Sequence, residues 1–183
     1  MALPLHENLI LKKMKKRLIT ILYITIISIG FSQDFKIKSE ESVVEFNYVS
    51  EEAFGTIKGI SGEIKFDISN LAESYFEAKV NIKSINTSNK TRDKHLNAPD
   101  YFHTEKYPYI EFKSESLNLV DQEFILTGKI TIKNISKTEE IKFKFQDNVF
   151  LGTCIIYSND YGIKKQKARE ESKILIKIRV PIL

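Results

Sequence analysis

Apolar and polar residues alternate along most of this chain, and a period of two admits little besides half-buried strands. Val44, Phe46 and Tyr48 alternate with Glu45 and Asn47, and Ile64, Phe66 and Ile68 with Lys65 and Asp67. Phe76, Ala78, Val80 and Ile82 alternate with Glu77, Lys79 and Asn81, and Ile110 and Phe112 flank Glu111. Phe124, Leu126, Ile130 and Ile132 share one parity against Thr127, Lys129 and Thr131, and Ile141, Phe143 and Phe145 alternate with Lys142 and Lys144. Ile174, Ile176, Ile178 and Val180 alternate with Leu175, Lys177 and Arg179. With the apolar segment around 150–157, these make eight strands. Their connections are mostly short and polar, at Asp67–Glu73, Leu119–Gln122 and Asn134–Thr138. Sequential strands joined by hairpins predict an all-β, eight-stranded antiparallel up-and-down barrel, because closure removes exposed edges. A two-sheet sandwich satisfies the same pattern. The segment from Asn86 to Pro108 breaks the rhythm and forms a short helical and loop insertion between strands three and four, with Asn89–Leu96 able to make two helical turns. Long ordered loops in compact domains are commonly functional or lids.

Charge separates the chain into two parts. Of 28 basic and 24 acidic residues, Lys12, Lys13, Lys15, Lys16, Arg17 and Glu7 lie before residue 33, so 33–183 is neutral. A nucleic-acid-binding domain needs a net positive footprint, which 33–183 lacks. The basic cluster precedes an apolar run from Leu18 to Ile29 and the small residues Gly30 and Ser32. These are the three parts of a secretory signal peptide, with cleavage expected after Ser32. The run is short for a membrane span, which needs about 20 residues, so no span remains after cleavage. Met14 is a natural start for such a leader, and residues 1–13 read as a start-site extension. The domain expectation is a leader over 1–32 and one barrel over 33–183, exported to a periplasmic or extracellular space. No Cys follows the apolar run to carry a lipid anchor. Cys154, the single cysteine, reads as a buried strand residue.

The stretch from Ile82 to Ser114 carries specific motifs: Arg92-Asp93-Lys94-His95-Leu96, Pro99-Asp100-Tyr101-Phe102, Lys106-Tyr107-Pro108 and Phe112-Lys113-Ser114. It resembles the hallmark of the YceI-like polyisoprenoid-binding family. Ser42–Phe46, Ser61–Asp67, Leu126–Ile132 and Asp160-Tyr161-Gly162-Ile163 resemble other parts of the family pattern, so the likeness covers nearly all of 35–181. Ser158 and Asn159 stand where the family usually has an Arg, and Lys133-Asn134 where it often has His-Gly. The resemblance implies a lipocalin-like eight-stranded barrel with an elongated apolar cavity for a long-chain lipid such as an isoprenoid.

The residues themselves leave the interior open between a solid Phe-rich core and a hollow. A hollow suits an apolar tail, which gains about 0.8 kcal/mol per buried methylene without directional contacts. Parity places Phe46, Phe66, Val80, Ile82, Phe102, Phe112, Ile130 and Phe143 on the lining. Tyr101, Phe102, Tyr107 and Tyr109 form an aromatic cluster that seats the insertion on the barrel. Asp93 with Arg92 or His95 as its donor reads first as a network pinning that loop; the alternative sets Arg92 and His95 at the cavity mouth against a lipid head group. His95, His103, Asp93 and Glu105 match no zinc spacing, and no nucleophile accompanies Asp93 and His95. The expected function is therefore an exported, non-catalytic carrier of a polyisoprenoid, isoprenoid quinone or fatty-acid derivative, without cofactor. A lipid-modifying enzyme using Asp93 and His95, and a solid-core scaffold for a protein partner, are the other two readings. A homodimer is an assembly the sequence leaves open.

Overall fold

The computed structural model describes residues 33–163 and 166–183. The leader expected over 1–32 lies outside the described residues, as does the pair 164–165. Among the described residues no helix is long and apolar enough to cross a membrane.

The alternation forms strands where its polar side can stay wet. The described residues contain ten: β1 Gln33–Phe35, β2 Val43–Tyr48, β3 Ala53–Lys58, β4 Ser61–Phe66, β5 Tyr75–Asn81, β6 Tyr109–Val120, β7 Glu123–Ile132, β8 Ile135–Gln146, β9 Val149–Tyr157 and β10 Lys173–Pro181. One α-helix, α1 (Lys90–Asn97), lies between β5 and β6. All neighbours pair antiparallel in the order β1-β4-β5-β6-β7-β8-β9-β10-β2-β3. The consecutive run from β4 to β10 is a meander. The β2–β3 hairpin does not precede it in space but pairs beyond its last strand, with Phe46 opposite Ile176.

The sheet curls on itself rather than closing by a continuous ladder. β3, at one end of the sheet, meets the segment just past β5 through a bridge in which the Thr56 and Asn86 backbone amides each donate to the other's carbonyl at 2.9 Å. Ser84 Oγ reinforces that seam, accepting from the Lys58 amide at 3.0 Å and donating to the Lys58 carbonyl at 3.0 Å. The segment after β1 then straps β4 to the far end of β10: the Lys38 amide donates to the Pro181 carbonyl and the Leu183 amide to the Lys36 carbonyl, both at 2.9 Å.

The count of eight is thus corrected to ten. β1 spans three residues, too few to show a period. β3 hides because Phe54 faces solvent at 61% exposure and Gly55 occupies an inward position. Gly55 is required there: a Cβ would collide with the Phe46 ring and the Asn86 carbonyl. Two boundaries also move. Ile68, expected in a strand, sits in a turn at 70% exposure, and Asn134–Thr138, expected as a turn, is mostly β8. The reversal there is made by Lys133, at φ 59°, with Asn134. Asp121-Gln122 and Asp147-Asn148 have φ between 48° and 65°, the left-handed pair of a two-residue hairpin whose twist matches the flanking strands.

One end of the interior is filled by phenylalanine. Phe66 packs edge-on against Phe76, Phe124, Phe143, Phe145 and Phe150 at centroid distances of 5.2–6.2 Å. Phe35 on β1 caps the group against Phe145 and Phe150.

Candidate ligand cavity

Beyond the phenylalanine floor the interior is hollow. A cavity of about 560 Å³ runs through it, walled by inward residues of β2 to β10 and by α1. Of the two interiors that the residues left open, the structure has the hollow one, and the reason is local. Phe46 and Phe112 lie across the glycines of the neighbouring strands, Gly55 and Gly128, where any Cβ would strike their rings. The rings therefore rest along the wall instead of filling the centre. Gly152 opens a further position on β9, where a Cβ would meet Ile141 Cγ2 at 3.1 Å.

The parity assignment places six of the eight expected lining residues on this wall: Phe46, Val80, Phe102, Phe112, Ile130 and Phe143. Two do not line it. Phe66 is drawn into the floor, where five rings surround it. Ile82 is 1% exposed but lies just past β5, in a 3-10 turn that leaves the barrel wall. Strand parity does not extend into such a turn. The aromatic cluster of the insertion also divides. Tyr101 and Phe102 line the cavity, whereas Tyr107 packs on His103 and Tyr109 is 40% exposed with Lys79 Nζ over its ring.

Most of the polar lining gathers around α1 and the β2–β3 connection, with Thr87, Asn89, Thr91, Arg92 and His95 on one side and Tyr48, Glu51 and Ser158 on the other; Lys79 and Glu111 add to it from β5 and β6. Asn89 N-caps α1, its Oδ1 accepting from the Arg92 amide at 3.0 Å. Asp93 Oδ1 accepts from the Thr87 amide at 2.9 Å and hydroxyl at 2.6 Å. Arg92 donates from Nε to Thr87 Oγ1 at 2.9 Å and from Nη2 to the Thr87 carbonyl at 3.0 Å. The network does pin the insertion, with one correction: Arg92 and His95 do not donate to Asp93. Thr87, 5% exposed, mediates between arginine and carboxylate. Since Asp93 Oδ1 is occupied by Thr87 and no hydrogen bond joins it to His95 among the described residues, the Asp93–His95 pairing that the enzymatic reading requires does not form. Arg92 is half-buried and His95 exposed, so the two grade from the interior to the rim.

The opposite side carries a second polar cluster that the sequence did not announce. Gln166 Nε2 donates to Glu51 Oε1 at 2.8 Å and to Tyr48 Oη at 3.2 Å. Its backbone is clamped by Asn159, whose Nδ2 donates to the Gln166 carbonyl at 3.0 Å and whose Oδ1 accepts the Gln166 amide at 2.7 Å. Tyr48 Oη and Ser158 Oγ share a hydrogen bond of 3.1 Å. The one available signal was Ser158-Asn159 standing where the resembled pattern has a long cation.

Two buried titratable groups are shifted far from their ordinary values. Burial pushes the Cys154 thiol up to about 12, with the Glu139 charge adding to it, so Cys154 is an inert apolar lining group. Tyr161 is fully buried and donates to Glu139 Oε1 at 2.8 Å; burial, then that bond, raises its hydroxyl far above the ordinary tyrosine value. Among the described residues no group of three His, Cys, Asp or Glu is placed to hold a metal ion.

A YceI-like domain model matches residues 35–182. The chain belongs to the YceI-like family. Within that family it is 37% identical over 84 residues to a UPF0312 protein of Photorhabdus laumondii, covering 46% of this chain and 44% of that one. It is 33% identical over 91 residues to Protein YceI of Escherichia coli O157:H7, covering 50% and 48%. The matched stretches thus span just under half the length of these curated relatives. Among solved structures, Burkholderia cenocepacia BcnA superposes with a TM-score of 0.71 at 19% identity, covering 79% of this chain and 98% of that one. A polyisoprenoid binding domain from Saccharophagus degradans, implicated in plant cell wall breakdown, superposes at 0.55 with 10% identity, covering 80% and 95%. At such identities the likeness to these two structures is one of fold. It places this YceI-like chain among curled all-β folds.

Proposed function

We propose that the protein is an exported, non-catalytic carrier of an amphiphile with one long apolar tail. The observation that carries this is the 560 Å³ cavity, predominantly apolar and floored by phenylalanine, with most of its polar lining gathered around α1 and the β2–β3 connection. A tail in such a site needs no directional contact, and its transfer from water contributes about 0.8 kcal/mol per methylene. The volume also sets a length. An apolar protein cavity of about 150 Å³ takes up benzene, roughly 25 Å³ per carbon, so this cavity holds about 20 tail carbons. The tail is then that of a fatty-acid derivative or a short isoprenoid, and a longer polyisoprenoid or quinone tail extends past the rim. Arg92 and His95 are the groups that meet the head group. The polyisoprenoid-binding name of the Saccharophagus degradans domain supports the same ligand class. The 1–32 leader supports export.

Native mass spectrometry of the chain expressed in full and purified without detergent, followed by solvent extraction, tests this. One equivalent of a releasable amphiphile with a tail near 20 carbons is the expected result. A bare protein mass, together with no uptake of palmitic acid or geranylgeraniol, would overturn it.

A further inference from the structure

The outer face of β9, β10, β2 and β3 is unlike the rest of the exterior. Its register aligns Ile155, Leu175, Asn47 and Phe54 in one row across four strands. Ile155 is 45% exposed, Leu175 39% and Phe54 61%. Asn47, the only polar member, has its Oδ1 withdrawn from solvent with no hydrogen-bond partner. The next two rows along the same strands are basic. One aligns Lys142, Thr153, Lys177, Glu45 and Thr56; the other aligns Lys144, Leu151, Arg179, Val43 and Lys58. Five cations therefore face one carboxylate across the two rows, on a domain whose side chains over 33–183 are neutral in sum. Among the described residues none of the four lysines is ion-paired, and Arg179 donates only to the Glu41 carbonyl at 3.1 Å. The exterior of β4 to β7 differs: three of its four lysines meet acids, Lys113–Glu77 at 3.8 Å, Lys129–Glu115 at 3.3 Å and Lys65–Glu73 at 3.9 Å, and the fourth, Lys79, lies over the Tyr109 ring.

We propose that this face docks reversibly on an anionic phospholipid surface, with Phe54, Leu175 and Ile155 entering the headgroup region and the lysines meeting lipid phosphates. Aliphatic and aromatic side chains beside unpaired cations are the composition of an interfacial membrane contact. Charge complementarity requires an anionic partner. Size argues against a second copy: three or four half-exposed apolar side chains fall short of the roughly 800 Å² per partner that a stable protein interface buries. The placement suits exchange, because Tyr48, Ala53, Ile156 and Ile174, each adjacent in sequence to a member of the apolar row, line the cavity. The inference does not depend on what the cavity holds.

The test is co-sedimentation of the full chain with vesicles of phosphatidylcholine containing about one-third phosphatidylglycerol, and with phosphatidylcholine alone. Pelleting is expected with the anionic vesicles only, weakening at least tenfold between about 50 and about 500 mM salt. Leu175→Ser should weaken it about fivefold and Lys142→Glu/Lys144→Glu about tenfold, with the strand circular dichroism unchanged because all three side chains are exposed. A polarity-sensitive dye on Phe54→Cys separates this face from any contact made by the leader, since buried Cys154 stays unlabelled. Its emission should shift to the blue on anionic vesicles. Absence of pelleting, equal pelleting of the variants and the wild type, adsorption to neutral vesicles, or unchanged dye emission on vesicles that pellet the protein would each overturn the proposal. So would a concentration-dependent dimer mass abolished by Phe54→Ser, which would assign the face to a second copy.

Discussion

Filling the cavity from one wall should shorten the tail it accepts without unfolding the barrel. Ala78 is suited to this. It lies on β5, lines the cavity, and sits opposite Phe112 in register. Ala78→Phe adds six ring carbons, about 150 Å³ at the benzene scale, or roughly a quarter of the space. The ring enters a hollow, so overpacking costs little and the melting temperature should hold or rise. Binding should change with tail length. In the wild type, affinity for saturated fatty acids should climb about fourfold per methylene, the equivalent of 0.8 kcal/mol, and level off near 20 carbons. In Ala78→Phe the plateau should arrive about six carbons earlier. A 20-carbon acid then loses about 5 kcal/mol, a weakening of a few thousandfold, while a 12-carbon acid is nearly unaffected. Titration calorimetry across a 12- to 20-carbon series reads both curves. Equal weakening at every length would mean that Ala78 does not border the tail. No weakening at any length, with the barrel folded, would mean that ligands bind outside this cavity.

Four further outcomes follow from the same fold. Phe66→Ala removes the ring at the centre of the floor and should cost about 3–5 kcal/mol in urea unfolding. Thr87→Val removes the hydroxyl that Arg92 Nε and Asp93 Oδ1 share and leaves only the bonds to the Thr87 backbone; a loss of about 1–3 kcal/mol, with faster amide exchange confined to α1 and the segment before it, is the expected signature. Cys154 should react with a thiol reagent at pH 8 about a thousandfold more slowly than a free cysteine, because a thiol near 12 exposes that much less thiolate than one near 9. Rapid labelling would show that the wall opens. Asp67 is held below the usual carboxylate range by the Ser69 hydroxyl at 2.6 Å, then by the Ser69 and Asn70 amides. Its stabilisation is complete above the unfolded value near about 4 and is lost as pH falls through the lower folded value, so the melting gap between wild type and Asp67→Asn should close on acidification.

What local sequence conveyed well was the direction in which each strand faces. Five inward choices, at Phe46, Val80, Phe112, Ile130 and Phe143, were legible because an antiparallel strand with one wet side must alternate. The failures share a physical cause. Ile82 kept the parity of β5 although the chain had already turned. Phe66 kept its parity too, but parity says only that a ring points inward, and its packing against five others depends on rings contributed by β5, β7, β8 and β9. β3 carried no readable period because Gly55 serves the Phe46 ring of the neighbouring strand. The helical turns over Asn89–Leu96 were visible locally, whereas the Asn89 cap and the role of Thr87 as intermediary between Arg92 and Asp93 were not. The Gln166 contact with Tyr48 joins positions 118 apart in sequence, and no spacing rule reaches so far.

The sequence by itself therefore determined an all-β chain, the parity of its wall and the motif-bearing insertion, because alternation, capping and turn chemistry act over a few residues. Only the tertiary structure decided that β2 and β3 pair beyond β10, that phenylalanine seals one end while glycine lets two other rings lie flat, and that the interior is consequently hollow. Those outcomes depend on which strands become neighbours, and on the volume left once all their side chains share one interior.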